Sequence, residues 1–296
     1  MNNPDKIDVT VILAVKNEAA NIRRCLQALE PATKVFVLDS QSDDNTCEIA
    51  QDYTVEVIQF YYQGGYPKKR QWAMQTLDIP TEWIMFIDAD EVVTKPLWQE
   101  IKKAIGRDDY DAYFIKKWFH FMGKPLKFGG FSHSAILLLR KDCANFEHLV
   151  DEPSNSLDME VHERVIVSGR IGCLDEPLIH EDFKDLESYI QRHNKYSSWE
   201  ARVRYQFLTT GKWGFSTVKN SMKGNIQEKR RFIKSIIMRI PFEHILWFLY
   251  HYLFRCGFLE GRRGWIASRI RSGYIADVHD KIYELKIRQK RKGISG

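Results

Sequence analysis

The sequence predicts an α/β fold, with a mostly parallel sheet and helices on both of its faces. Three observations carry this. Apolar, β-branched runs of strand length alternate with helical spacings through residue 90. The runs lead into polar clusters, at Lys16–Glu18, Asp39–Thr46 and Asp88–Glu91. Neither a Walker A sequence nor GxGxxG opens the first turn, which disfavours a P-loop NTPase or a dinucleotide-binding dehydrogenase.

The first strand is expected from Val9 to Val15 (VTVILAV), followed by the loop Lys16-Asn17-Glu18. Asn21 to Leu29 has helical spacing, with Ile22, Cys25 or Leu26, and Leu29 on one face. Lys34 to Leu38 is the second strand. It runs into DSQSDDNT, where Asp44 or Asn45 can cap a helix through Ala50. Val55 to Phe60 is the third strand, Gly64-Gly65 break the chain, and Lys69 to Leu77 reads as a helix. The fourth strand, Trp83 to Ile87, is wholly apolar and stops at Asp88-Ala89-Asp90. Crossovers between parallel strands are right-handed, so the strand ends should share one edge, where ligands bind in open α/β sheets. An Asp-x-Asp can also be a helix cap or a turn. Three polar clusters on one edge favour a site. Paired hard carboxylates there suit Mg²⁺ or Mn²⁺ with open positions for phosphates.

Farther on, 111–121 alternates less cleanly and 136–139 is a short strand, with Gly129-Gly130 and His133 between them. Asp158 to Glu163 (DMEVHE) and Leu178 to Asp182 (LIHED) concentrate titratable groups. Residues 185–208 are helical in pattern, with Leu186, Tyr189, Ile190, His193 and Ser197 roughly on one face.

VTVILAVKNE, VFVLDSQSDDNT and WIMFIDADE, in that order, resemble the inverting family 2 glycosyltransferases of GT-A fold. The pattern there is an apolar strand followed by Asn-Glu, then Val-Asp-Asp-Gly-Ser-x-Asp-Gly-Thr, then Asp-x-Asp. Ser40, Gln41 and Asn45 depart from it, replacing the second Asp and both glycines. The resemblance implies a Rossmann-like sheet and a nucleotide-sugar donor, a UDP-sugar. Val15, Asn17, Glu18 and Asp39 would contact base and ribose, and Asp88 and Ala89 would lie against the donor. Arg70 and Gln71 fall where the subfamily has a Lys-Asn pair beside the donor. Asp88 and Asp90 would hold Mg²⁺ or Mn²⁺ on the diphosphate, with His180 completing the metal site.

Val161-His162-Glu163, Gly169, Ile179-His180 and Asn194-Lys195-Tyr196 resemble the lipopolysaccharide-core subgroup, which adds glucose or a similar sugar to an inner-core or lipid-linked acceptor. The expected reaction is transfer to a cell-envelope glycan or lipid-linked acceptor with inversion. Such a single displacement needs one carboxylate to take the acceptor proton. Glu163 is the candidate, with Asp151, Glu152 and Glu181 behind it. Trp118, Phe119, His120 and Phe121 are candidates to stack on the acceptor. Two other readings stand beside this one. One is a scaffold of envelope assembly that keeps the fold without transfer. The other is a nucleotidyltransferase, which would more often show a Gly-rich, basic loop in place of Lys16-Asn17-Glu18.

The charge is uneven. Residues 212–296 carry 19 Lys+Arg against 6 Asp+Glu, whereas the chain as a whole has 44 against 39. We therefore expect a GT-A domain over 1–211 and a basic, amphipathic helical region over 212–296. Pro241 to Leu259 is the most apolar stretch, but Glu243, His244, His251 and Arg255 interrupt it. It reads as one interfacial helix and not as a span, with Trp247, Tyr250 and Tyr252 at headgroup level. Lys286 to Gly296 reads as a frayed basic tail. The polar start, MNNPDKIDVT, does not read as a signal peptide. Five scattered cysteines without a CxxC suggest free thiols. The expected setting is cytoplasmic and monotopic, on an anionic membrane surface at the inner face, with no nucleic-acid partner.

Overall fold

The computed structural model describes residues 6–150, 157–161, 163–181 and 185–294. The chain opens with β1 (Ile7–Val15), α1 (Ile22–Ala28), β2 (Ala32–Asp39), α2 (Thr46–Gln51), β3 (Glu56–Gln59), α3 (Lys69–Thr76) and β4 (Trp83–Asp88). There follow β5 (Glu91–Val92), α4 (Lys95–Ile105), β6 (Ala112–Phe121), β7 (Lys124–Pro125) and β8 (His133–Arg140). Next come β9 (Ala144–Phe146), β10 (Val165–Val167), β11 (Ile171–Cys173) and β12 (Leu178–His180). Four helices finish it: α5 (Leu186–Thr210), α6 (Ile226–Ile237), α7 (Glu243–Leu249) and α8 (Gly261–Ile294).

The main sheet runs β3-β2-β1-β4-β8-β6-β12-β5. β1 is parallel to β2 and β4, and β2 to β3. β8 is inserted antiparallel between β4 and β6. The apolar runs are continuous because both faces are covered. Val11, Leu13, Val35, Val37, Met85 and Ile87 enter one core with Ile22, Leu26, Leu97 and Ile101 of the helices. Their neighbours Ile12, Phe36, Leu38, Ile84 and Phe86 enter the opposite core with Ala73 and Phe146. Period-two alternation thus feeds two layers from one run of sequence. The helix α4 is well started, with Pro96 in its first turn and the Thr94 hydroxyl accepting from Leu97 N at 3.3 Å.

The C-terminal helices depart from expectation in two places. The stretch 241–259 is not one helix. It divides into α7, a π-helical turn at Tyr250–Phe254 and a 3-10 turn at Gly257–Glu260, with Phe242 and Cys256 in the left-handed region. The fold-back needs glycine. A Cβ on Gly257 would come within 2.5 Å of the His251 carbonyl oxygen, and one on Gly264 within 1.9 Å of the Gly257 oxygen. The basic end is also not frayed from Lys286, because α8 continues to Ile294 with an Arg288–Glu284 pair at 2.6 Å.

The helix α5 lies before residue 211 in sequence yet packs on α8, through Ala201, Tyr274, Ile275, Val278 and Ile282. No helix among the described residues is long and apolar enough to cross a membrane.

Candidate active site

Sheet register builds the site. Val15 pairs with Asp39 and Ala14 with Asp88, so the ends of β1, β2 and β4 are level. They border a cleft of about 1310 Å³ that the helices close from the other side. A single small-molecule site usually holds roughly 300–1,000 Å³, so this cleft has room for two substrates.

Of the residues expected at a site, Glu18, Arg70, Asp88, Ala89, Asp90, Glu163 and His180 line the cleft. Val15, Asn17, Asp39 and Gln71 do not, and each has a local task instead. The Val15 carbonyl accepts from Ser40 N at 3.1 Å and Lys69 Nζ at 3.2 Å. Asn17 Oδ1 accepts from Asp43 N at 2.8 Å, joining the loops after β1 and β2. Asp39 is buried and accepts from Ser42 N at 2.9 Å. Burial opposes its charge, but the Ser42 hydrogen bonds hold its carboxyl below the ordinary value. Gln71 Oε1 accepts from Phe146 N at 2.7 Å and its Nε2 donates to Asn145 Oδ1 at 3.1 Å, which ties α3 to β9.

The acidic motif after β4 meets more cations than the sequence suggested. Asp88 pairs with Arg70 and lies 3.6 Å from Lys117 Nζ. Burial works against the Asp88 charge, yet Arg70 and Lys117 hold its carboxyl well below the carboxylate range. Glu91 accepts from Asp88 N at 3.0 Å and pairs with Lys117. Asp90 and His180 approach to 3.6 Å, because β12 pairs with β5 directly after the motif. Burial disfavours both charges, but the mutual contact lowers the Asp90 carboxyl and raises the His180 imidazole.

Asp90, Glu91 and His180 have ligand atoms within 4.8 Å of one another. Glu91 is engaged by Lys117 and the Asp88 amide. Asp90 Oδ1 and His180 Nδ1 are buried and find no hydrogen-bond partner among the described residues. A carboxylate and an imidazole with orphaned buried atoms fit a divalent cation. Asp88, expected among the ligands, is turned to Arg70 and Lys117.

Glu163 lies deeper in the wall. Its side chain is 4% exposed and pairs with Lys68 Nζ at 2.6 Å. Lys68 Nζ in turn lies 4.3 Å from the centre of the Trp199 ring. Asp151 and Glu152 fall outside the described residues, as does His162. Glu181 is bound to Arg24 and does not line the cleft. None of Trp118, Phe119, His120 and Phe121 lines it either. Phe119 and Phe121 are core, packed with Leu126 and Ala267.

Sequence reasoning missed Lys68, Lys69, Lys117, Asp158 and Glu160. Lys69 Nζ reaches Asp158 at 3.1 Å, and Glu160 accepts from Arg70 N and Gln71 N at 3.1 Å, capping α3 from a distant loop. A signal for Lys117 was present. Strand alternation within AYFIKKWFHF must turn one of its two adjacent lysines inward.

Residues 10–146 match the family model "Glycosyl transferase family 2". Over those residues the chain is similar to the family 2 glycosyltransferases. The matched stretch holds β1 to β9, and its Asp-x-Asp closes β4. Two curated relatives extend the likeness past that stretch. A glycosyltransferase of Rickettsia felis is 28% identical over 268 residues, covering 88% of this chain and 84% of the relative. The lipopolysaccharide core biosynthesis glycosyltransferase LpsC of Rhizobium meliloti is 24% identical over 289 residues, covering 93% and 94%. Among solved structures, S. aureus TarS 1–349 in complex with UDP-GlcNAc is 16% identical, with 90% of this chain and 91% of that one covered at a TM-score of 0.44.

Proposed function

We propose that this glycosyltransferase moves a sugar from a UDP-sugar to a cell-envelope glycan or lipid-linked acceptor, by a single displacement with inversion. The observation that carries the reading is the cleft, where Asp88, Asp90, Arg70, Lys117 and His180 meet at the end of β4, a strand of the stretch similar to family 2 glycosyltransferases.

The acceptor oxygen bonds to the anomeric carbon as the bond from that carbon to the diphosphate oxygen breaks. Glu163 takes the acceptor proton, and the contact with the Lys68 ammonium aims its carboxylate. Arg70 and Lys117, now on Asp88 and Glu91, supply positive charge beside the departing diphosphate. Mg²⁺ or Mn²⁺ held by Asp90 and His180 would stabilise the same developing charge when bound. Glu18 borders the cleft at the end expected for the nucleoside.

The envelope acceptor is supported by the role printed for the Rhizobium relative. A membrane surface is supported by the last quarter of the chain. Phe254 is 79% exposed, Phe242 69% and Leu259 57%, with Arg239, Arg255 and Arg262 close by in sequence. Exposed apolar side chains beside cations suit an anionic bilayer, with the protein monotopic on its inner face.

Calorimetry of UDP with and without Mn²⁺, followed by transfer of labelled sugar from UDP-sugars to an envelope-lipid extract, tests the reading. Metal-dependent UDP binding and labelled product support it. UDP binding without any transfer would favour a scaffold that has kept only the fold.

A further inference from the structure

The cleft has two unlike walls. All six acidic residues lining it (Glu18, Asp88, Asp90, Asp158, Glu160 and Glu163) come from the strand ends and the loops beside them. The wall built by α5, α6 and α8 contributes Arg192, Lys195, Arg230, Lys234 and Arg271, and among the described residues no acid.

These cations converge from three separate helices, so no single amphipathic stripe accounts for them. Several are fixed in place. Arg230 Nη1 donates to Ser134 O at 3.1 Å, on β8 next to His133. Arg271 lies 5.6 Å from the Trp247 ring centre and 5.3 Å from that of Tyr274. Lys234 pairs with Glu200 at 2.8 Å, but Glu200 also binds Arg204 at 2.7 Å and the Tyr274 hydroxyl at 2.5 Å. One buried carboxylate therefore serves three donors. Burial lowers the Lys234 ammonium to about 8 even with Glu200 opposing. Like charges gathered on one wall raise one another's energy, and a bound anion lowers it.

The site described above handles the donor diphosphate at the strand ends, through Arg70, Lys117 and a cation on Asp90 and His180. The helical wall is a second centre of positive charge. His133 links the two, with its ring 6.4 Å from that of His180. From this juxtaposition we infer that Arg192, Lys195, Arg230, Lys234 and Arg271 form an acceptor subsite for an anionic sugar, one carrying a phosphate or a carboxylate beside the hydroxyl that is glycosylated. The inference rests on the glycosyltransferase reading and adds the acceptor's chemical class to it. Arginine favours such groups because its planar fork matches their paired oxygens. Tyr196, on the same wall, offers a ring face to the sugar.

The test titrates the full chain with glucose 6-phosphate, glucuronate and neutral glucose at fixed ionic strength, both with and without saturating UDP and Mn²⁺. At least one anionic sugar should bind saturably in the presence of UDP and Mn²⁺, and glucose at least tenfold more weakly. The stronger of the two anions tells phosphate from carboxylate. Arg192→Gln/Lys195→Gln and, separately, Arg230→Gln should each weaken that binding about tenfold, as expected for a lost charge-assisted hydrogen bond. UDP affinity should stay within about twofold, the size of a distant surface change. Lys195 and Arg230 are exposed, so these variants should fold, which melting temperatures check. Displacement of the anionic sugar by UDP would overturn the inference, because the cations would then belong to the donor diphosphate. Equal affinity for glucose, or unchanged affinity in both variants, would overturn it as well. Loss of UDP binding alone would strike the donor reading and leave the anion site standing.

Discussion

Lys68 Nζ lies 2.6 Å from Glu163 Oε1, with both side chains at most 5% exposed. A buried ion pair on a cleft wall is poor evidence for stability, since desolvation offsets most of its attraction. It does hold the carboxylate in one orientation beside a substrate. Glu163→Gln is therefore expected to bind UDP with Mn²⁺ as the parent does and to lose transfer by roughly 10²-fold or more, the usual range for a positioned base. Single-turnover transfer of labelled sugar measures this. Normal turnover would remove Glu163 from the chemistry and point to Asp151.

Asp90→Ala should leave the melting temperature within a few degrees and abolish the Mn²⁺-dependent part of UDP binding. His180→Ala should do the same, because the two side chains face each other at 3.6 Å with orphaned atoms on each. Calorimetry of UDP with and without Mn²⁺ is the measurement. A variant that keeps the full metal-dependent increment would show that the cation is held elsewhere.

Glu243 joins three helices. It is 1% exposed and bonds Arg204 Nη1 at 2.7 Å, Trp247 Nε1 at 2.9 Å and His279 Nε2 at 2.7 Å. Removing it strands His279 and leaves Arg204 with Glu200 as its remaining carboxylate, so Glu243→Ala should cost about 3 kcal/mol, the low end for a broken buried pair. Chemical denaturation at neutral pH reads the difference.

The same residue predicts a pH dependence. Burial alone would raise the Glu243 carboxyl, but His279 and Arg204 bring it down to about 2 from an ordinary 4.5. A depressed folded-state value means that the unfolded chain takes up the proton first. The stabilisation is thus complete above pH 4.5 and is lost as pH falls through about 2. Its full size is of order 3 kcal/mol. The stability gap between the parent and Glu243→Gln should accordingly narrow between pH 4.5 and 2. A gap that is constant over that range would contradict the assignment.

The chain should sediment with anionic vesicles, be released only in part by high salt, and bind neutral ones more weakly. Each basic residue at the surface contributes about 1 kcal/mol, which salt screens, whereas inserted apolar side chains are insensitive to salt. Phe242→Ser/Phe254→Ser/Leu259→Ser should weaken vesicle binding roughly tenfold or more. Truncation at residue 211 is a poorer test, because it would strip α8 from α5 and expose their shared core. Equal binding by the triple variant would place the contact on charge alone.

What the sequence by itself determined is local. The runs VTVILAV and WIMFI favour strand, because they are short, rich in β-branched or aromatic residues and bounded by polar clusters. Alternation of such runs with helical spacing leads to a parallel sheet, and a parallel sheet brings the strand ends to one edge. That is why Glu18, Asp88 and Asp90 could be named beforehand, whereas Arg70, on α3, came only from the family resemblance. Tertiary structure decided which polar atoms face the cleft. Asp39 and Asn17 stand in the right motif yet turn their side chains onto neighbouring loops. Lys117 and Lys116 are adjacent in sequence, and only the pairing of β6 with β8 and β12 fixes that Lys117 is the buried one. Likewise 241–259 has the composition of one amphipathic helix, but close approach at Gly257 and Gly264 folds it back. Composition sets how much apolar surface a segment must hide. Contacts from far along the chain set where it hides it, and those contacts carry no signature in the segment itself.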